Sequence, residues 1–223
     1  RTSMVVTTEV RELLRGCDAL CLDVDSTVIQ GEGIDELADH CGKGAQVKEL
    51  TKSAMGGSMP FKESLAARLD IIKPSRSDFD AVAPKFQLTP KVDEFVKLLH
   101  GRGVRVFLVS GGFRLLLAPI AQKLEIPSSN IFANTVFFSG DGSYEGFDAT
   151  EPTCTHKATA LRSIIDANGF KRVMMIGDGM TDVEARPPAA AVIGFGGNVE
   201  RAAVREAADC FVHSFDELIA CFD

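Results

Sequence analysis

The sequence predicts an α/β fold: a mainly parallel sheet with helices on both faces, interrupted after its first strand by an all-helical insertion. Three observations carry this reading. Short apolar runs rich in strand formers alternate with helical patterns over most of the chain, as in a parallel sheet wound by crossover helices. The stretch from about 30 to 86 breaks that alternation, with several helical patterns and no convincing strand. Several apolar runs end in acidic or glycine-rich punctuation, at the strand edge where open α/β sheets bind ligands.

In chain order, residues about 7–16 read as a short helix ended by Gly16, and 18–24 as the first strand. Gly33-Ile34-Asp35-Glu36-Leu37-Ala38 opens the next helix, and the run to Met55 continues with another. Phe61, Leu65, Leu69 and Ile72 recur at helical spacing. Pro74 stops that helix and Ser75 is placed to cap the following one, while Gly56-Gly57 and Pro60 separate the pieces. From Thr89 the alternation returns: a helix over about 90–101, a strand over 104–109, Ser110-Gly111-Gly112, a helix over 113–124 and a short strand over 131–133. Residues 135–148 read as a hairpin turning at Gly140-Asp141-Gly142. A helix over about 157–168 precedes a strand over 172–176, ended by Gly177-Asp178-Gly179, and 191–193 and 210–212 give two more strands. The expected division is a core over 1–29 and 87–223, with a helical cap over 30–86.

Composition bounds the function. The 223 residues are 45% hydrophobic and 25% charged, ordinary globular usage that supports a sizeable core. A net charge of −7 argues against a nucleic-acid partner and against an anionic membrane surface, although a local cluster of cations can still hold a phosphate ester. No stretch approaches the roughly 20 apolar residues that span a membrane, and no secretory pattern opens the sequence. Arg1-Thr2-Ser3 ahead of Met4 are expected to be a tag remnant or a trimmed leader. The six cysteines, at 17, 21, 41, 154, 210 and 221, form no C-x-x-C pair or zinc spacing, and buried reduced thiols favour a cytoplasmic setting.

Chemistry converges on three strand ends. Asp23 and Asp25 close the first strand two residues apart, a spacing that suits a hard metal site, an acid/base pair, or both. Ser110-Gly111-Gly112 lets the backbone approach an anion, with a helix N-terminus behind it. Asp178 and Asp182 lie four apart with Gly179 freeing the loop between them, a pair suited to Mg²⁺. Lys157 opens a predicted helix, where a cation works against the helix dipole, and that misfit points to a ligand role. Each has a plainer reading taken singly: solvated aspartates, an ordinary strand-to-helix turn, an exposed lysine. Together, parallel strands would bring a nucleophile, a hard cation and amide donors to one edge, which is what phosphoryl transfer needs.

In order, D-V-D-S-T, S-G-G, a lone Lys and G-D-G-x-x-D resemble the four motifs of the haloacid-dehalogenase-like (HAD) phosphatases. The likeness extends further. Glu32 to Leu37, Ala54-Met55-Gly56-Gly57, Val109 to Arg114 and Phe195-Gly196-Gly197-Asn198 resemble the phosphoserine phosphatase family, from about Cys17 to Leu218. The resemblance implies a HAD-like, Rossmann-type core with an inserted cap, and hydrolysis of O-phospho-L-serine as the last step of serine biosynthesis. It also implies a monomer or homodimer. Asp23 would be the nucleophile forming an aspartyl-phosphate, and Asp25 the acid and then the base. Mg²⁺ would be held by Asp23, the Asp25 carbonyl and Asp178, with Asp182 orienting its ligands. Ser110, Gly111, Gly112 and Lys157 would bind the phosphoryl group, Glu32 the substrate ammonium and Arg68 its carboxylate. Met55, Gly56 and Phe61 would line the pocket, helped by Thr181. The sequence departs from the family in one place. Where the family carries a Gly-Gly pair in a slightly longer loop, Pro152 to His156 leads directly into Lys157, with His156 read as a loop residue. Two rivals fit parts of the pattern: another HAD phosphotransfer enzyme, such as a phosphoserine:homoserine transferase, and a receiver-like module, which has no use for a helical insertion.

Overall fold

The computed structural model describes residues 6–55, 60–154 and 156–223. Its strands are β1 (Ala19–Leu22), β2 (Arg105–Phe113), β3 (Ile131–Asn134), β4 (Val136–Phe138), β5 (Tyr144–Phe147), β6 (Val173–Gly177), β7 (Ala191–Phe195) and β8 (Cys210–Val212). Its helices are α1 (Thr8–Arg15), α2 (Gly33–His40), α3 (Gly44–Met55), α4 (Phe61–Ile72), α5 (Arg76–Val82), α6 (Val92–Gly101), α7 (Arg114–Lys123), α8 (Lys157–Asn168), α9 (Met180–Val183), α10 (Ala202–Ala207) and α11 (Phe215–Ile219).

Six strands form one parallel sheet in the order β3-β2-β1-β6-β7-β8. Both faces are covered, so its central strands read as continuous apolar runs rather than alternating ones. Leu20 and Leu22 of β1 join Val106, Leu108, Met174 and Ile176 in a core that includes α1, α6, α7 and α11. Ala19 and Cys21 point the other way, with Phe107, Val109, Val173 and Met175, against Ala160, Leu161 and Ile164 of α8.

The insertion is helical, as its patterns predict. Ser75 caps α5 in a reciprocal box: its hydroxyl accepts from Asp78 N–H, and Asp78 accepts from Ser75 N–H at 2.7 Å. The chain enters and leaves the insertion through a short antiparallel contact. Ile29 bridges Leu88, Gln30 N–H donates to Gln87 O at 3.1 Å, and Thr89 N–H to Val28 O at 2.9 Å. Leu37, Leu65, Leu69 and Phe79 of the insertion belong to the same apolar cluster as the sheet face. The hairpin β4–β5 also docks there: Phe138 meets the Phe79 ring edge-on at 5.7 Å, and Arg76 N–H donates to Gly142 O.

Two expectations shift. β1 ends at Leu22 rather than 24, because the chain coils through Val24–Val28 with Ser26 in the left-handed region at φ 55°. Ser110-Gly111-Gly112 is not a turn between strand and helix. It continues β2 to Phe113, paired with Asn134 across a register irregularity, and α7 starts at Arg114.

Candidate active site

Register brings the predicted chemistry together. Leu22 is level with Leu108 on one side and Ile176 on the other, so the ends of β1, β2 and β6 lie side by side. Asp23 follows β1 and keeps one rung of the ladder, its N–H donating to Ile176 O at 2.9 Å. Asp178 follows β6, and Asp182 folds back from α9 so that its Oδ2 accepts from Gly179 N–H at 2.9 Å. Gly177 makes that possible: a Cβ there would stand 2.1 Å from the Asp182 carboxyl carbon.

Asp23, Asp178 and Asp182 each offer a carboxylate oxygen within 4.8 Å of one another, and all three residues are buried. An all-oxygen set of this kind suits a hard divalent cation. Lys157, 6% exposed, places Nζ 2.7 Å from Asp23 Oδ1 and 2.7 Å from Asp182 Oδ1. Burial pulls the Lys157 pKa down, but Asp182 and Asp23 outweigh it and raise it, so the ammonium stays charged. The carboxylates bear the remaining cost. Burial, then the Asp23 charge, pushes Asp182 up to about 8 and raises Asp178 as well. Negative charge in excess of what the chain's own cations neutralise is what a bound cation would relieve, so the residues fit one.

Asp25 stands outside that cluster. Its Oδ1 accepts from Gly33 N–H at 2.6 Å, at the start of α2, and burial followed by the charges of Glu32 and Asp23 pushes it up to about 8. The left-handed Ser26 turns the chain so that its hydroxyl donates to Glu32 Oε1 at 2.8 Å. Asn198, from the loop after β7, locks the coil by donating to Ser26 O, Ile29 O and Thr89 Oγ1 at 2.7–3.2 Å.

A cavity of about 280 Å³ opens on these groups. Among the expected residues, Asp23, Asp25, Glu32, Phe61, Arg68, Gly111, Gly112, Lys157, Asp178 and Thr181 border it. Arg68 is steadied by its Nε donating to Ser64 O at 3.1 Å. Phe61 packs so closely on Gly111 that a Cβ there would meet its ring at 2.6 Å. Asp182 and Ser110 are fully buried and do not border the cavity; the Ser110 hydroxyl accepts from Gly112 N–H at 2.8 Å. The Met55 side chain and Gly56 lie outside the described residues.

Sequence reasoning does not single out Arg201. The residue borders the cavity with Nε 3.0 Å from Asp178 Oδ2 and a guanidinium nitrogen 3.7 Å from Glu32 Oε1. An arginine four residues beyond Gly197 carries no pattern of its own; only the fold brings it to the acids. Thr153 and His156 also border the cavity, although the loop before Lys157 gives no hint of it.

The model of the haloacid dehalogenase-like hydrolase family matches residues 17–188. The chain is 47% identical to a phosphoserine phosphatase of Bos taurus, over 99% of this chain and 100% of that one. Among solved structures, a phospho-aspartyl intermediate analogue of phosphoserine phosphatase superposes with a TM-score of 0.77 at 28% identity, covering 92% of this chain and 98% of that one. A substrate-bound phosphoserine phosphatase complex superposes at 0.78 with 26% identity, covering 92% and 97%.

Proposed function

The chain belongs to the haloacid dehalogenase-like hydrolases, among their phosphoserine phosphatases, and we propose that it hydrolyses O-phospho-L-serine to L-serine and phosphate with Mg²⁺ bound, as the last step of serine biosynthesis. One observation carries this reading. A nucleophile-bearing cluster of acids and Lys157 faces a wall that offers opposite charges, Glu32 and Arg68, to a zwitterion.

Asp23 Oδ1 is held by Val24 N–H at 2.7 Å and by Lys157, which leaves Oδ2 to attack phosphorus. Burial and the charges of Glu32 and Asp23 push Asp25 up to about 8, which favours the protonated form that a general acid needs. Asp25 gives that proton to the seryl oxygen as the phosphorus–oxygen ester bond breaks and the bond to Asp23 forms. The resulting Asp25 carboxylate then takes a proton from water, whose oxygen attacks phosphorus and releases phosphate from Asp23. Lys157 and Gly111 hold the phosphoryl oxygens during both transfers, and the Ser110 hydroxyl, buried behind the cavity wall, fixes the Gly112 amide beside them. Asp23, the Asp25 carbonyl and Asp178 would hold Mg²⁺, with Asp182 orienting them. When bound, the ion draws charge from the transferring group and offsets repulsion between the phosphate and Asp23.

Residues 30–86 act as the cap that selects the substrate. Cys17, Cys21, Cys41, Cys210 and Cys221 are unpaired thiols, in keeping with a reducing, cytoplasmic setting. Among the described residues no helix is long and apolar enough to cross a membrane. The chain works as a monomer or homodimer without nucleic acid.

The test is phosphate release from phosphoserine, phosphoethanolamine and sugar phosphates, with Mg²⁺ and with chelator. Phosphoserine should be turned over fastest, and only with Mg²⁺. Equal turnover of sugar phosphates, or full activity in chelator, would overturn the reading.

A further inference from the structure

We propose that Thr153 and His156 form a second donor wall for the phosphoryl group, where α8 begins, and so bind substrate alongside the strand-end residues. The inference rests on the reading of the site as a phosphatase's. Thr153 borders the cavity at 4% exposed, and its Oγ1 is buried with no hydrogen-bond partner among the described residues. Buried hydroxyls in folded proteins are almost always bonded, so an orphan beside a cavity marks where a ligand atom completes the bond.

His156 borders the same cavity with an exposed imidazole. It occupies the N-cap position of the twelve-residue α8, yet among the described residues no side chain caps that helix. The α8 N-terminus, with the positive end of its dipole, therefore begins beside the cavity-lining His156 and Lys157, and Thr159 N–H turns back to His156 O at 3.0 Å. An anion there meets the Thr153 hydroxyl, an imidazole N–H and a helix N-terminus together.

The donor inventory leaves room for them. Two of the three N–H donors of Lys157 are engaged by Asp23 and Asp182. Arg201 is engaged by Asp178 and by Glu32, while Arg68 stands for the substrate carboxylate. One ammonium N–H and the Gly111 amide are few for the terminal oxygens of a phosphoryl dianion, since Gly112 N–H is taken by the Ser110 hydroxyl.

Thr153→Val keeps the shape and removes the hydroxyl, and His156→Ala removes the ring. Each Mg²⁺-loaded protein is titrated with inorganic phosphate by calorimetry, assayed with phosphoserine and melted. Thr153→Val should weaken phosphate binding about tenfold, the scale of one hydrogen bond to a charged group. Its KM for phosphoserine should rise in parallel and its melting temperature should hold or increase, because no internal bond is lost. His156→Ala should weaken phosphate binding at least threefold, and His156→Gln, which keeps a donor, should recover part of the loss. Phosphate binding within twofold of wild type in either variant overturns the proposal. So does a lower melting temperature for Thr153→Val, which would place the hydroxyl in an internal bond. A loss for phosphoserine but not phosphate would put these residues against the seryl end and overturn it too. A wild type that binds phosphate but turns over no phosphoserine would refute the functional reading alone, and one that binds no phosphate would refute this inference.

Discussion

Lys157 is bonded to two carboxylates and has one N–H left, which the proposed function gives to the phosphoryl group. Its removal takes a charge from the transition state and leaves buried Asp182 unpaired. Lys157→Ala should lower kcat by roughly two to three orders of magnitude. Breaking a buried pair from one side costs about 3–5 kcal/mol, so the variant should also melt earlier. A kcat change below threefold would assign the phosphoryl contact to another cation. Asp23→Asn should abolish turnover, since a neutral amide keeps the Val24 contact but cannot attack phosphorus, and should lower the melting temperature less than Lys157→Ala, because Lys157 keeps Asp182 and the acids lose a repelling charge. Retention of a tenth of wild-type kcat would remove Asp23 as nucleophile. Both residues are legible in the sequence, Asp23 by its place at a strand end and Lys157 by its misfit with the helix dipole. The reason for the misfit is tertiary: the two acids that compensate it come from β1 and α9.

The helices of the insertion stand on local signals strong enough to read and to test. Ser75→Ala removes the hydroxyl half of the α5 cap, leaving the Ser75 N–H bond to Asp78, and should cost about 1 kcal/mol. The box also makes stability depend on pH. The Ser75 hydroxyl, ahead of its N–H and His40, holds the Asp78 carboxyl below its ordinary value. A depressed folded pKa contributes stability above the unfolded pKa of about 3.9, and that contribution is lost as pH falls through the folded value. The gap in melting temperature between wild type and Asp78→Asn should therefore be widest near neutral pH and close below about pH 4. A gap that is the same at pH 3 and pH 7 would contradict it. β2 gives the opposite lesson. Ser110-Gly111-Gly112 reads as a turn because glycines punctuate loops, yet it pairs with β3 as far as Asn134, whose side chain donates to Gly111 O at 2.7 Å. A partner strand decided the conformation, and the local sequence could not.

Over the whole molecule, the proposed function divides the work: the sheet edge would supply the groups that every phosphate ester meets, and the insertion would supply discrimination. Glu32 opens the insertion and Arg68 lies on α4, both facing the cavity. Leaving one of these charges unpaired in a closed site costs about 2–5 kcal/mol by analogy with truncated charge pairs. Arg68→Ala should therefore lower kcat/KM for phosphoserine at least a hundredfold, while phosphoethanolamine, which lacks the carboxylate, should change far less. Equal losses on both would make Arg68 a support for the fold. Mg²⁺ binding to the native acids alone should raise the melting temperature by mass action. Asp178→Asn should abolish most of that rise; an undiminished rise would place the ion elsewhere.

The sequence by itself determined the alternation of strands and helices, the helical insertion with its capped α5, and the acids and lysine at the strand ends. These are local: periodicity, caps, and charges set where a strand stops or against a helix dipole. Only the tertiary structure decided which distant groups complete the site. Arg201 lies beyond β7 without periodicity or motif, and it reaches Asp178 and Glu32 because parallel register aligns β1, β6 and β7. Gly177 leaves space for Asp182, and Ser26 in its left-handed turn carries Glu32 toward the cavity. Such contacts join residues far apart in the chain, and their energies come from burial and unneutralised charge, quantities that exist only once the chain has closed around them.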